Sequence, residues 1–358
     1  MNINNIIFEM LQVAIGNRAK LSYIPTPEEF SQIYCIAKKQ YVLGICFAAI
    51  DKLNLSKLNF PPNLLYQWLG MSELIKKQNK KVNNICIDLS QHFNLDGLSF
   101  CIMKGQQVGR YYGELSSLRQ SGDIDVWVLG GKKFVVNYVQ CIKPTKSISR
   151  QHIQLEIYPN TDVEVHYIPA ELHCPWYDFH LKKFLYSNCK FSRIHDKTTL
   201  SGVYVPTDKF NIVHLTAHAF RHLFGEGMTL RQLMDLYFVL MKWEGNLEEK
   251  QSICKVFKHT GMMTFASALM GAMSIAFRMP KDNMYCDPNT QNGYYLLNNI
   301  MNLSHDRLVL FNESSWHRFW RIQKYNIGLL KLSPWEVVWT PIWRIYNWSW
   351  MKMNGYTY

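Results

Sequence analysis

Between residues 97 and 169 the spacing of apolar residues changes from the helical period to the alternation of strands, and from Pro206 onward it changes back. That double switch limits the fold most. It predicts a compact unit of strand, helix, strand, helix, strand, strand set between two helical regions. In the first region, "PEEFSQIYCIAKKQYVLGICFAAIDKL" carries Phe30, Ile33, Ile36, Ala37, Val42, Leu43, Cys46, Phe47 and Ile50 at helical spacing. Pro27, Glu28 and Glu29 provide its start. A second long helix is predicted from Pro62 to about Phe93; its basic run "KKQNKK", Lys76–Lys81, reads first as a solvated face. In the last region, "PTDKFNIVHLTAHAFRHLF", "TLRQLMDLYFVLMKW" and residues 247–277 read as helices, and 278–295 as a long loop. The expected fold class is α+β, with a small mixed sheet at 96–170 between helical regions at 1–95 and 171–358.

Within the central unit, "GDIDVWVLG" begins an apolar strand with two acids, Asp123 and Asp125. Residues i and i+2 of a strand point to the same face, so the two carboxylates project side by side, about 7 Å apart at their Cα atoms. Unpaired, they would repel each other and resist desolvation. A divalent cation removes both problems, and Mg²⁺ suits one or two carboxylates plus substrate phosphates. Gly122 is read as letting the backbone turn tightly before the pair. "RQHIQLEIYP" and "TDVEVHYIP" form a predicted hairpin around Pro159-Asn160-Thr161. Its second arm offers Asp162, Glu164 and His166 on one face. Three convergent acids would hold two ions, and the third acid could serve as general base.

Formal net charge is +12, from 39 Lys+Arg against 27 Asp+Glu. An excess of this size suits a polyanionic partner: nucleotide phosphates, nucleic acid, a sugar phosphate or an anionic membrane surface. With 48% apolar and 18% charged residues the composition is globular, which excludes a disordered chain. Nine cysteines lie singly with no C-x-x-C pair, so reduced thiols and a cytoplasmic setting are expected rather than a disulfide framework or zinc ribbon. Neither a signal peptide nor a transmembrane helix is expected.

The motif set resembles the nucleotidyltransferase superfamily with a polymerase-β-like palm, and most closely the bacterial branch of uncharacterised nucleotidyltransferases. The elements that carry the resemblance are "MKG" (Met103, Lys104, Gly105), Arg119, "GDIDVWV" and "VEVH" with Glu164 and His166. His152 fits as well, and "VHLTAHAFRHLF" with "LRQLMDLY" is similar to that family's helical segment. The resemblance spans about 97–240. It implies an Mg²⁺-dependent enzyme, with Mn²⁺ as an alternative ion, that moves a nucleoside monophosphate from an NTP such as ATP onto an acceptor and releases pyrophosphate. The acceptor is left open between a small molecule, a sugar, a protein and RNA. It implies further that Asp123, Asp125 and Glu164 are the metal carboxylates, Asp162 competing for the third place, and that Lys104 and Arg119 contact the triphosphate or brace the acids. Gly105, Gly122, His166 and Arg231 complete the expected nucleotide-binding set. Gln106 stands where the family commonly has a small residue, and its bulk is expected to crowd the phosphates.

Three features stay open at this level. His214, His218 and His222 recur every fourth residue; a cleft-lining helix competes with zinc binding by an adjacent pair. Arg231 and Asp235, four apart, form either a local ion pair or, through Arg231, a nucleotide contact. Trp335, Trp339, Trp343, Tyr346 and Trp350 make one helical stripe, read first as core and second as a membrane or partner contact across 334–351. Two non-enzymatic readings accompany these: a catalytically lapsed palm that serves as a binding module, and a basic, Trp-rich peripheral membrane or RNA-binding protein.

Overall fold

The computed structural model describes residues 3–53, 60–195, 199–225, 227–302 and 314–356. Helix α1 (Ile3–Ala14) precedes α2 (Pro27–Lys39), which Thr26 and Glu29 close with a reciprocal capping box. The apolar run from Pro27 to Leu53 is not one helix. It breaks at Tyr41, whose φ is 56°, before α3 (Leu43–Lys52). The cause is tertiary. Buried Gln40 donates to Ile300 O at 2.8 Å and accepts from Leu230 N at 2.9 Å, so its side chain belongs to two distant helices. Helix α4 (Pro62–Leu95) is long, as the sequence predicts. Its lysine run is mostly an outward face, with Lys76 paired to Glu73 at 2.7 Å. The exception is Asn79, which is buried and donates to Ser117 O and Arg119 O, both at 2.7 Å. That amide fixes the segment leading to the acids.

The central sheet has the order β1-β2-β4-β3, from β1 (Phe100–Met103), β2 (Ile124–Val128), β3 (His152–Gln154) and β4 (Val163–His166). Strand β2 is antiparallel to β1 and parallel to β4, and β3 is antiparallel to β4, so the sheet is mixed and the fold is α+β. Helices α5 (Gly105–Gly109) and α6 (Gly131–Ile142) lie within the unit, with a 3₁₀ segment at Arg110–Leu118. The hairpin forms where expected, with shorter arms than the alternation suggests. One sheet face packs Ile102, Val126, Ile153 and Val165 against α4 and α6. The other carries Cys101, Met103 and Trp127 into a larger core shared with the N-terminal and C-terminal helices. Trp127 is fully buried there, stacked on Phe210 with ring centres 5.5 Å apart.

Next come α7 (Pro175–Ser187) and a two-stranded sheet, β5 (Phe191–Arg193) with β6 (Tyr204–Pro206), which the sequence reading did not predict. Then follow α8 (Asp208–Gly225), α9 (Leu230–Lys242), α10 (Leu247–His259) and α11 (Met263–Phe277). The expected loop at 278–295 ends early, because α12 (Thr290–Asn302) begins inside it. Helices α11 and α12 cross so closely that a Cβ at Gly271 would stand 2.2 Å from Asn289 O.

Helices α13 (Ser315–Ile327) and α14 (Pro334–Asn354) close the chain. The tryptophan stripe of α14 is not core. Glu336, Val337, Thr340 and Met351 face inward, and Trp335 and Tyr346 stay more than half exposed. The stripe sits out of phase because buried Glu336 accepts from His173 N at 2.8 Å and Cys174 N at 3.2 Å, which sets the helix's rotation. Trp343, Tyr346 and Trp350 are covered by Arg221, Arg150 and Lys132 respectively. No helix among the described residues is long and apolar enough to cross a membrane, and the nine cysteines are free.

Candidate functional site

Register builds the site. Asp125 pairs with Glu164 and Trp127 with His166 across β2 and β4; Gln154 pairs with Glu164 and His152 with His166 across β3 and β4. Asp125, Glu164, His152 and His166 therefore share one sheet face. Asp123 precedes β2 and lies on the solvent-reached rim, although protein crowds its carboxylate on most sides. Carboxylate oxygens of Asp123, Asp125 and Glu164 fall within 4.8 Å of one another. Asp162 lies exposed just before β4 and is not part of this group; its carbonyl accepts from Ile124 N at 2.9 Å.

Lys104 reaches the acids from β1. Its Nζ is 2.7 Å from Asp125 Oδ1. The turn that aims it is left-handed at both Lys104 (φ 46°) and Gly105 (φ 42°), a conformation that is costly for a side-chain-bearing residue and concentrates at functional sites. Gly122 has no such backbone. A Cβ there would meet Arg231 Nη1 at 3.5 Å, an ordinary contact, so neither a tight turn nor crowding demands the glycine. Gln106 does not crowd the cleft. It turns into the protein and donates to Asn83 Oδ1 at 2.5 Å.

Arg119 forms a buried two-pronged pair with Asp235, at 2.7 and 2.8 Å, and Tyr112 donates to the same carboxylate at 2.7 Å. Asp235 thus belongs to Arg119, and the expected Arg231–Asp235 pair gives way to this long-range one. Arg231 instead donates to Gln120 O at 3.2 Å and lies 5.0 Å over the Tyr41 ring. Both arginines line the cleft, and each keeps one buried nitrogen without a partner, Arg119 Nη1 and Arg231 Nε. Lys104, Gly105, Gly122, Asp123, Asp125, Leu215, His218, His222 and Gln232 line it with them. His214 is turned away and bonds Pro169 O at 2.9 Å. Helix α8 therefore gives two of its three histidines to the cleft.

Electrostatics separates the acids. The Asp125 charge, and then burial, raise Asp123 to about 6. Burial would raise Asp125 as well, but Lys104 and His166 outweigh it and hold that carboxyl far below the usual range. His166 loses by burial and gains more from Asp125 and Glu164, reaching about 9. Burial and the His166 charge lower His152 to about 4. Burial would raise Glu164 too, but the hydrogen bond and charge of His166 outweigh it and leave that carboxyl lowered. Three carboxylates this close, one of them pushed up by its neighbour, form a cation-deficient set, and oxygen donors in such a group fit a hard divalent ion.

The long-range partners Tyr112 and Gln154 were not read from sequence, and His152 only through the resemblance. Counting the hairpin pairs back from Asn160 would have put His152 near His166. No local signal joins Tyr112 to a residue 123 positions away.

A small mixed sheet with acids on one face, above a cleft lined by arginine, lysine and histidine, is an arrangement that could hold a metal ion and an anionic ligand side by side. Residues 26–270 match the family of uncharacterised nucleotidyltransferases, and the chain belongs to that family. Neither the curated proteins nor the solved structures yield a significant match.

Proposed function

We propose that the chain is a divalent-metal-dependent nucleotidyltransferase, Mg²⁺ being the expected ion, that transfers a nucleoside monophosphate from an NTP to an acceptor. Residues 96–170 form its palm. The observation that carries this reading is the meeting of Asp123, Asp125 and Glu164 at a cleft that Lys104, Arg119 and Arg231 also line. Asp123, Asp125 and Glu164 would hold the ion or ions. A bound ion would supply charge neutralisation of the polyphosphate and Lewis acidity. Arg231 and Lys104 bind and orient the phosphates, and the unpartnered Arg119 Nη1 gives a further donor. The acceptor oxygen attacks the α-phosphorus, a P–O bond forms, and the bond to the β-phosphate breaks, so that pyrophosphate leaves.

The acceptor proton moves to a cleft carboxylate. Glu164 suits this poorly, because His152, His166 and Gln154 hold its oxygens. Asp123, on the solvent-reached rim, is the better base. His218 and His222 line the same cleft. Incubation with α-labelled NTPs and cell extract tests the transfer. Label on a discrete acceptor that vanishes in Asp123→Ala/Asp125→Ala supports it; label retained by that variant contradicts it.

A second reading adds a peripheral contact with an anionic membrane. Its support is the exposure of Trp316, Trp320, Ile342, Ile345 and Trp348 on α13 and α14, beside basic residues that include Lys324, Lys331 and Lys352. Flotation with anionic vesicles, lost in Ile345→Ser/Trp348→Ser, is the expected result; equal flotation of both proteins contradicts it.

A further inference from the structure

Two imidazoles stand behind the cleft acids, and nucleotidyl transfer makes no use of them. His152 Nδ1 is 3.1 Å from Glu164 Oε2, and His166 Nε2 is 3.2 Å from that same oxygen. His166 Nε2 is also 2.9 Å from Asp125 Oδ1. One donor atom each from His152, Glu164 and His166 lies within 4.8 Å of the others. Such separations match the edges of a coordination polyhedron. With metal–ligand bonds of about 2.1 Å, neighbouring donor atoms stand about 3.0 to 3.4 Å apart.

The ring orientation of His166 points the same way. Its Nδ1 faces the Ile168 carbonyl at 3.4 Å. A main-chain carbonyl at the far ring nitrogen is the usual outer partner of a metal-bound histidine, and with the ring proton at Nδ1 the Nε2 atom offers a lone pair to a cation. That lone pair, at Nε2, faces two carboxylate oxygens. The parallel β2–β4 register and the β3–β4 hairpin hold all four side chains on one face, so the donors are arranged before any ion arrives.

We propose that His152, Glu164 and His166 bind a divalent first-row transition cation of the Mn²⁺, Fe²⁺, Co²⁺ and Zn²⁺ class, with Asp125 beside it. Two imidazoles and one carboxylate favour these ions over Mg²⁺, which prefers oxygen. The site adjoins the Asp123–Asp125 side and shares Glu164 with it. It extends the metal reading of the cleft but needs no nucleotide.

The test uses full-length, chelator-stripped protein with Co²⁺ or Mn²⁺ alone. The proposal predicts tight Co²⁺ binding with visible ligand-field bands, and ¹⁴N modulation from directly bound imidazole in the electron spin echo of the Mn²⁺ form. His152→Gln should remove one nitrogen coupling and weaken Co²⁺ binding by at least about tenfold, the loss that even an outer partner of a ligand typically causes. His166→Gln is the second variant, and thermal melts establish that each is folded. The wild-type spectrum decides the matter if neither folds. Absence of a bound ion, Mn²⁺ without ¹⁴N modulation, or wild-type Co²⁺ affinity in folded variants would overturn the proposal and leave a doubly protonated His166 as the group that holds the acids. Nucleotide binding in Mg²⁺ that survives such a result preserves nucleotidyl transfer. Intact nitrogen coupling without nucleotide binding would instead remove that function and keep the imidazole site.

Discussion

Asp123 and Asp125 stand two positions apart with opposite electrostatics. Asp125 is buried, bonded to Lys104 and His166, and held ionised. Asp123 has its ordinary value of 3.8 raised to about 6, so its ionisation opposes folding. Below about pH 4 it is protonated in both folded and unfolded chains and the penalty is absent; the penalty is complete above about pH 6. Asp123→Asn should therefore raise the Tm of metal-free protein more at pH 8 than at pH 5. Exposure on the rim screens the effect, and about 1 to 2 °C is expected. Saturating Mg²⁺ should reverse the order of wild type and variant at pH 8. An unchanged or lower Tm in the metal-free variant at pH 8 would contradict this electrostatic account. Arg119 makes a separate prediction. Arg119→Ala strands buried Asp235 and should cost about 3 to 5 kcal/mol in urea unfolding. A loss under about 1 kcal/mol would show that the pair is not structural.

At the scale of elements, α14 is held by a carboxylate and not by its tryptophans. Arg221 donates to His173 Nε2, so the ring proton sits on Nδ1, facing Glu336 and Thr340. Burial and Arg221 lower His173 to about 4, so the ring is neutral and its contact with Glu336 is a hydrogen bond. Glu336→Ala leaves two buried main-chain N–H groups unmet, a cost of about 2 to 3 kcal/mol. Hydrogen exchange within 334–354 should accelerate by about tenfold or more, and protection equal to wild type would refute the clamp. The α11–α12 crossing offers a steric counterpart. A Cβ at Gly293 would stand 2.6 Å from the Gly271 carbonyl carbon, so Gly293→Ala should destabilise by about 1 to 3 kcal/mol in the same urea assay.

These elements also show what the sequence could disclose. Periodicity revealed the β3–β4 hairpin and the runs that became α4, α8 and α9, because each buries one face at a regular spacing, whereas β1 and β2, buried on both faces, showed as short apolar runs. The acids at the start of β2 stood out because charge at the mouth of an apolar strand is costly unless used. What stayed hidden was set by distant partners. Gln40 breaks a helix for the sake of Ile300 and Leu230. Asp235 turns from Arg231, four residues away, to Arg119. Glu336 rotates the tryptophan stripe outward. Each is a buried polar group whose partner lies far along the chain, where no local pattern reaches.

Across the whole molecule, the central sheet joins the two helical regions. Its Trp127 face is part of the core they share, and the acids occupy the open end of that face, toward α8 and α9. The cleft thus depends on parts of the chain more than 100 residues apart, and the net charge of +12 favours a polyanionic ligand. Calorimetric titration with each NTP, with and without Mg²⁺, on wild type and Asp123→Ala/Asp125→Ala tests the account most directly. It predicts binding of at least one NTP to wild type that strengthens with Mg²⁺, and loss of that Mg²⁺-dependent component in the variant. Equal nucleotide affinity of the two proteins in Mg²⁺ would contradict it.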